Sequence, residues 1–370
     1  MIRITLEINR KCNLRCNYCY ITEKNDEEMS WETAKNSVEF AINKIKDMNH
    51  TKRVIRIDFL GGEPLLSFDL IRRVVEYSRK RGEKEKVKFN YALTTNGTIF
   101  DKELLDFFVE NKFSLKISLD GNPDINDMDR KTITGAGSYY LVEKNLQYIK
   151  EYERRTDKLV QVSSVLTHNN YKSYYSTLKF FVEQLGVKYI DLGFNSNEIW
   201  GESEIRKITK IFEEIILYFI NCAGTPNEFV FGFLEDKIKG IDNIYRPYSC
   251  GAGILSFYIS YSGNYFLCPA SLKDEYCLGD VNAKHSETDF MKLIKKAYGM
   301  KRVQNKKCQL CKMEPYCTVK GCFINNLLEN NSIIVPSNSL CTRKKLFGEI
   351  IKKYYFEIKD IKKKFAYIAI

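Results

Sequence analysis

Two hydrophobic periods alternate along the first 222 residues. Residues 2–8 (IRITLEI), 53–60, 87–95, 113–119, 159–166 and 188–194 are short runs rich in β-branched residues, and the first alternates apolar and polar positions, which predicts strands. Between them, residues 31–47, 68–81, 102–111, 138–152, 170–185 and 202–222 space their apolar side chains three or four apart, which predicts helices. In the first helix Trp31, Ala34, Val38, Ala41, Ile42 and Ile45 make one stripe behind Ser30, a suitable cap. Six β/α units in succession require parallel strands, right-handed crossovers and an outer helical layer. Eight such units close a barrel. Six predict an α/β fold in the form of an open, partial (β/α)6 TIM-like barrel.

From about residue 240 the periodicity fades into short segments punctuated by Gly251, Gly253, Gly263 and Gly279 and dense in cysteine. A core this thin needs metal staples to hold it. Leu346, Ile350, Tyr354, Ile358, Ile361 and Phe365 then recur every three or four residues, the stripe of an amphipathic helix. The expected organisation is a barrel over 1–225, a small cysteine-rich domain over 226–342 and a basic helix over 343–370.

Charge and cysteine usage narrow the chemistry. The 370 residues carry a formal charge of +11, and the closing helix holds nine Lys/Arg against three Asp/Glu. No run of eighteen apolar residues and no charged-then-apolar leader occurs, so neither a membrane span nor a signal peptide is expected and the chain reads as cytoplasmic. In a reducing compartment twelve cysteines point to metal or catalysis rather than disulfides. With only His50, His168 and His285, a histidine metal site or a Ser-His-Asp triad lacks material. Lysines and arginines are spread along the chain without a nucleic-acid motif, which argues against a zinc-stapled nucleic-acid-binding protein and against a nucleic-acid partner.

The distinctive polar motifs follow the predicted strands: Cys12–Cys19 after the first, Gly61-Gly62-Glu63-Pro64 after the second, Thr95-Asn96-Gly97 after the third, Asp120-Gly121 after the fourth. That is the end where α/β barrels build their sites. Cys12, Cys16 and Cys19 form C-x3-C-x2-C. Three thiolates leave a tetrahedral zinc ion one ligand short, with no Cys or His nearby to complete it. The same three can hold three irons of a [4Fe-4S] cluster and leave the fourth iron open. An open iron suits S-adenosylmethionine, whose amino and carboxylate groups can chelate it.

With Tyr18 before the last cysteine, and with Gly61–Pro64, the chain resembles the radical S-adenosylmethionine superfamily over its first two hundred or so residues. The resemblance implies that Cys12, Cys16 and Cys19 hold the cluster and that the backbone of Tyr18 contacts adenine. It implies that Gly61, Gly62 and Glu63 bind the cofactor's amino group. Thr95, Asn96, Ser118, Asp120 and Arg130 would meet its ribose and carboxylate, and a guanidinium suits a carboxylate. One electron delivered to the sulfonium then releases a 5′-deoxyadenosyl radical.

Cys250, Gly263 and Cys268, then Cys308-x2-Cys311-x5-Cys317, Cys322 and Cys341, resemble the SPASM extension with its two auxiliary [4Fe-4S] clusters. By position, Cys308, Cys311, Cys317 and Cys341 would enclose auxiliary cluster II, and Cys250, Cys268 and Cys322 auxiliary cluster I. Cys277 would supply a fourth ligand, or one iron would stay open. Two features depart from the pattern: four residues rather than three separate Cys317 from Cys322, and cluster I has no assigned fourth ligand. A four-thiolate zinc knuckle is the competing use of these cysteines. Cys222, in an apolar helical run, reads as simply buried.

The resemblance implies a maturase that abstracts hydrogen from a ribosomally made precursor peptide. The product would be a thioether or C–C cross-link, an epimer or an oxidised side chain, and a ferredoxin- or flavodoxin-type donor would supply electrons. No leader-binding domain is expected before a strand that starts at residue 2. The rival is an anaerobic sulfatase-maturing enzyme. That group places an Asp, serving as base, after the cysteine equivalent to Cys268; here Pro269 follows, with Asp274 and Asp280 as substitutes.

Overall fold

The computed structural model describes residues 1–48, 53–195, 198, 200–234, 250–283, 288–299, 306–313, 322–333 and 335–365. Its strands are β1 Ile2–Glu7, β2 Val54–Leu60, β3 Lys88–Thr95, β4 Ser114–Ser118, β5 Gln161–Leu166, β6 Tyr189–Phe194, β7 Val230–Phe231, β8 Ser256–Ile259, β9 Asn264–Phe266 and β10 Gly279–Asp280. The helices are α1 Trp31–Lys46, α2 Phe68–Glu85, α3 Lys102–Glu110, α4 Pro123–Asp129, α5 Tyr139–Glu143, α6 Leu146–Thr156, α7 Tyr174–Lys179, α8 Glu202–Cys222, α9 Asp289–Gly299, α10 Lys306–Gln309, α11 Phe323–Asn330, α12 Asn338–Lys353 and α13 Tyr355–Phe365. Parallel strands alternating with helices give the α/β class that the hydrophobic pattern predicts.

The chain packs as two units. The first comprises Met1–Ser118, Asp129–Val160 and Cys250–Lys295. In it β1 pairs in parallel with β2 on one side and with β8 on the other, β2 with β3, and β3 with β4. Beyond β8, β9 and β10 run antiparallel. The alternation of β1 buries Ile2, Ile4 and Leu6 completely, and the register sets Ile4 beside Ile57 and Phe257. The stripe of α1 covers this layer with Ala34, Val38, Ala41, Ile42 and Ile45, and Ser30 caps the helix by accepting from the Thr33 N–H at 3.1 Å. Residues 250–295, assigned from sequence to a small separate domain, pack here because β8 extends the sheet along the other edge of β1.

The second unit comprises Leu119–Met128, Gln161–Ser249 and Lys296–Ile370. Its strands β5, β6 and β7 are parallel, with Val162 beside Ile190 and Ile190 beside Phe231. Against α8 lies α12, and the ring of Phe347 sits 4.9 Å from Phe212 and 5.2 Å from Phe233. The predicted single closing helix is two, α12 and α13, separated at Tyr354, where the backbone leaves the helical range. The predicted helix 138–152 is likewise two, parted at Lys144 and Asn145.

Candidate functional site

Apolar β1 ends at Glu7, and a polar loop carrying Cys12, Cys16 and Cys19 follows it. Three other segments of the first unit grip this loop. The first is the Gly61–Glu63 turn after β2: the Gly62 N–H donates to the Asn9 carbonyl at 2.9 Å and the Glu63 N–H to the Lys11 carbonyl at 2.7 Å. A side chain at Gly62 would sit 2.6 Å from the Lys11 carbonyl carbon and 2.8 Å from the Arg10 oxygen, so glycine is required here by close approach of two backbones. The Asn9 amide donates to the Glu63 carbonyl at 3.0 Å and to Ser67 Oγ at 2.7 Å, locking both turns together.

The second is the loop after β3. Asn96 Nδ2 donates to Asn13 Oδ1 at 2.8 Å and approaches Cys12 Sγ at 3.9 Å, and Asn13 donates in turn to Thr98 Oγ1 at 2.7 Å. Wholly buried Glu63 ties these turns, accepting from Leu65 N at 3.1 Å, Thr95 Oγ1 at 2.8 Å and Asn96 N at 2.7 Å. Burial raises the pKa of this carboxyl against those three donors and the charge of Arg130. Its side chain is therefore engaged inside the protein.

The third is the segment after α4. The Arg15 N–H donates to Lys131 O at 2.7 Å and the Asn17 N–H to Asp129 O at 2.9 Å, while Leu14 bridges Thr132. Arg130, buried, donates from Nη1 to Tyr18 Oη at 2.8 Å. The structure thus brings Cys12, Tyr18, Gly61, Gly62, Glu63, Thr95, Asn96 and Arg130 into one network. Ser118 ends β4 in the same unit; Asp120 belongs to the second, where its carboxylate accepts from Val165 N at 2.8 Å.

The three thiols are half-buried. Burial pushes the Cys12 thiol up, with Glu63 and Cys16 adding to the rise and the Leu14 N–H and Lys24 opposing it. Thiolates in such a setting need a cationic centre to stabilise them. Among the described residues no three His, Cys, Asp or Glu side chains converge as the ligands of one metal ion. A cubane cluster takes each thiolate at a different iron, so its ligands need not converge. Sequence reasoning missed Asn9, Asn13, Thr98, Asp129 and Asn145, whose amide holds the Gly97 carbonyl at 2.9 Å. Asn13 lies inside the motif and was visible there as an amide; Asn9, which precedes it, and Asn145 gave no signal.

The other cysteines divide between the units. Cys250, Cys268 and Cys277 belong to the first, and Cys308, Cys311, Cys322 and Cys341 to the second. Cys268 opens a turn stapled by Ser271, whose hydroxyl donates back to its carbonyl at 2.7 Å. Cys277 donates from sulfur to the Gly279 carbonyl at 3.3 Å. The Cys311 N–H donates to Cys308 O at 3.0 Å, Cys322 stands at the N-terminus of α11, and Cys341 lies in the first turn of α12. Cys317 lies outside the described residues. Cys222 is buried at the end of α8, as its apolar run predicts.

A family model described as the radical SAM superfamily matches residues 6–181. An uncharacterized protein of Methanocaldococcus jannaschii is 27% identical over 292 residues, covering 77% of this chain and 90% of that one. The cysteine-type anaerobic sulfatase-maturating enzyme of Clostridium perfringens strain 13 is 25% identical over 283 residues, covering 73% and 74%. The radical SAM cyclopropyl synthase TigE of Paramaledivibacter caminithermalis is 23% identical over 333 residues, covering 85% and 66%. Among solved structures, native anSMEcpe with bound AdoMet superposes with a TM-score of 0.79 at 20% identity, covering 98% of this chain and 100% of that one. Streptococcus suis SuiB bound to precursor peptide SuiA gives 0.60 at 18% identity, covering 92% and 75%. These likenesses establish the fold.

Proposed function

Residues 6–181 place this chain in the radical SAM superfamily, and on that premise we propose that it is a SPASM-type maturase acting on a ribosomally made peptide. The observation that carries the reading is the bracing of the cysteine loop by the Gly61–Glu63, Thr95–Thr98 and Asp129–Thr132 segments, all within one unit. Three thiolates on one rigid loop fit a [4Fe-4S] cluster with one iron left for S-adenosylmethionine. So loaded, the site would supply a 5′-deoxyadenosyl radical for hydrogen abstraction.

The chain's own part is positioning. The Gly61–Glu63 backbone would meet the cofactor's amino group, while the Glu63 carboxylate holds Thr95 and Asn96, which would meet its ribose. Arg130, held by its bond to Tyr18, would offer a guanidinium to its carboxylate. Asp120 and Ser118 are the further polar groups proposed to face the cofactor. Cys250, Cys268 and Cys322, with Cys277 as fourth ligand or one iron open, would hold auxiliary cluster I; Cys308, Cys311, Cys317 and Cys341 would hold cluster II. A ferredoxin or flavodoxin would deliver the electron. Among the described residues no helix is long and apolar enough to cross a membrane.

The test is anaerobic reconstitution with iron and sulfide, then S-adenosylmethionine and dithionite. Release of 5′-deoxyadenosine is expected, and the triple change Cys12→Ala, Cys16→Ala, Cys19→Ala should abolish it; release that survives the change would refute the site. A sulfatase-maturing reading is favoured by the near-complete overlap with anSMEcpe and opposed by Pro269. A sulfatase-derived peptide bearing the target cysteine separates the two: an aldehyde product selects the sulfatase reading, and an unchanged peptide selects the other.

A further inference from the structure

We infer that the polar face of the first unit's sheet docks an acidic stretch of the peptide substrate. The inference deepens the maturase reading and rests on it for the substrate role. Register divides this sheet into two unlike faces, because side chains at partner positions share a face and successive residues alternate. Ile4, Ile57 and Tyr91 stand in register on one face, all buried. The other face sets Arg3 beside Arg56, Thr5 beside Asp58 and Arg56 beside Asn90. Lys88 opens β3 on that same face, next to Val54. Lys158 joins them at the strand starts, its ammonium donating to the carbonyl of Lys112, just before β4, at 2.7 Å.

Positive charge is in excess here. One carboxylate serves two arginines: Asp58 lies 3.4 Å from Arg3 Nε and accepts from Arg56 Nε at 2.6 Å. Among the described residues no carboxylate pairs with Lys88 or Lys158. Cations of the helical layer are balanced differently, Arg72 by Glu103, Arg81 by Glu39 and Arg155 by Asp106. Burial, and then the charges of Arg56, Lys112 and Lys88, hold the Lys158 ammonium below its ordinary value. Like charges so gathered repel one another, and an anion among them removes that cost. Lys88 and Asn90 are exposed, so an anion can reach them.

Distance favours a polypeptide over a compact anion. The cations lie at the strand starts, whereas Thr95 and the cysteine loop follow the strand ends. From Lys88 to Thr95, β3 spans roughly 23 Å at about 3.3 Å per residue, the reach of about seven residues of extended peptide. The face stays polar along the way, with Asn90, then Thr94 beside Lys116. A peptide holding its carboxylates against Lys88 and Lys158 would thus bring a residue about seven positions away to the proposed cofactor site.

The experiment uses the full chain after anaerobic reconstitution and a fluorescein-labelled oligoglutamate of about seven residues, followed by anisotropy, with oligoglutamine as the uncharged control. The glutamate peptide should bind, the glutamine peptide should not, and salt should weaken the complex. Lys88→Gln with Lys158→Gln should cost about tenfold in affinity. Lys80→Gln with Lys84→Gln removes the same charge from exposed positions of α2 and should cost nothing. Equal losses in the two pairs would reduce the binding to the chain's net charge of +11 and overturn the proposal. So would no binding, or tighter binding of a single-stranded oligonucleotide lost in the same variant. Should the Lys158 change lower iron content or melting temperature, exposed Lys88→Gln alone decides by a loss of about threefold or its absence. Release of 5′-deoxyadenosine by the parent is measured alongside. Binding without release would refute the maturase reading and the substrate role with it; release without binding would overturn the proposal alone.

Discussion

At the scale of single residues, the site depends on how closely two loop backbones approach. Gly62 is the clearest case, because a methyl group there would run into the Lys11 carbonyl. Backbone carbonyls cannot rotate away as a side-chain end can, so Gly62→Ala must open the gap between the two loops. The expected result is at least a tenfold loss of 5′-deoxyadenosine release, with auxiliary iron retained; measuring both on one reconstituted sample distinguishes a local defect from misfolding. Gly61 meets the same segment and adopts φ +152°, which compounds the constraint. Glu63 shows the complementary device. A carboxylate buried among three donors and near Arg130 fixes loop geometry without needing to touch a ligand.

Elements report where sequence pattern suffices and where it does not. Helices α1 and α2 are joined by Glu39, which accepts from Arg81 at 2.5 and 2.8 Å and from Tyr77 at 2.7 Å. The Arg81 hydrogen bond, opposed by partial burial, holds the Glu39 carboxyl below its ordinary value of 4.5. A lowered carboxyl pKa means the unfolded chain binds the proton first. The stabilisation is therefore complete above about pH 4.5 and is lost as pH falls through the lowered value. Glu39→Gln should cost about 1 kcal/mol at neutral pH for this partly exposed pair, and the melting temperatures of the two proteins should converge in acid. In the second unit Phe347→Ala removes a ring that α12 inserts among Phe194, Phe212 and Phe233. A cost of about 3–5 kcal/mol is expected in denaturant unfolding. The six main strands and most helices were legible because Ile2, Ile4 and Leu6, or Ala34, Val38 and Ala41, declare their period directly. The break between α5 and α6 was not, since the apolar stripe continues across it and only the tertiary bond from Asn145 to Gly97 marks the place. Nor was β8: four residues, three of them buried, carry too little pattern, and the partner β1 is some 250 positions away. In the candidate site the cysteines, the glycine turn and Arg130 could be read as motifs. Asn9 and Asp129 could not, because their roles exist only once separate loops meet.

Over the whole molecule the cysteines sort by unit, and this bears on how independent the proposed sites are. Every bond described around Cys12, from Asn9 to Asn145, lies within the first unit, whereas Cys308, Cys311, Cys322 and Cys341 lie in the second. The described bonds that shape the first site are thus supplied from within the first unit. Changing Cys308 and Cys311 together to Ala should therefore remove about four of roughly twelve irons, one cluster of three. Release of 5′-deoxyadenosine under dithionite should stay within a few-fold of the parent. On the proposed reading peptide modification should be lost, because the auxiliary site would provide an electron path or a substrate contact for product formation. Iron analysis, nucleoside release and peptide mass on the same preparation give three readouts that must part company in that order. If nucleoside release collapsed along with peptide modification, the cofactor site would need the second unit's cluster for its own integrity, and the division of labour argued from the hydrogen-bond network would be wrong.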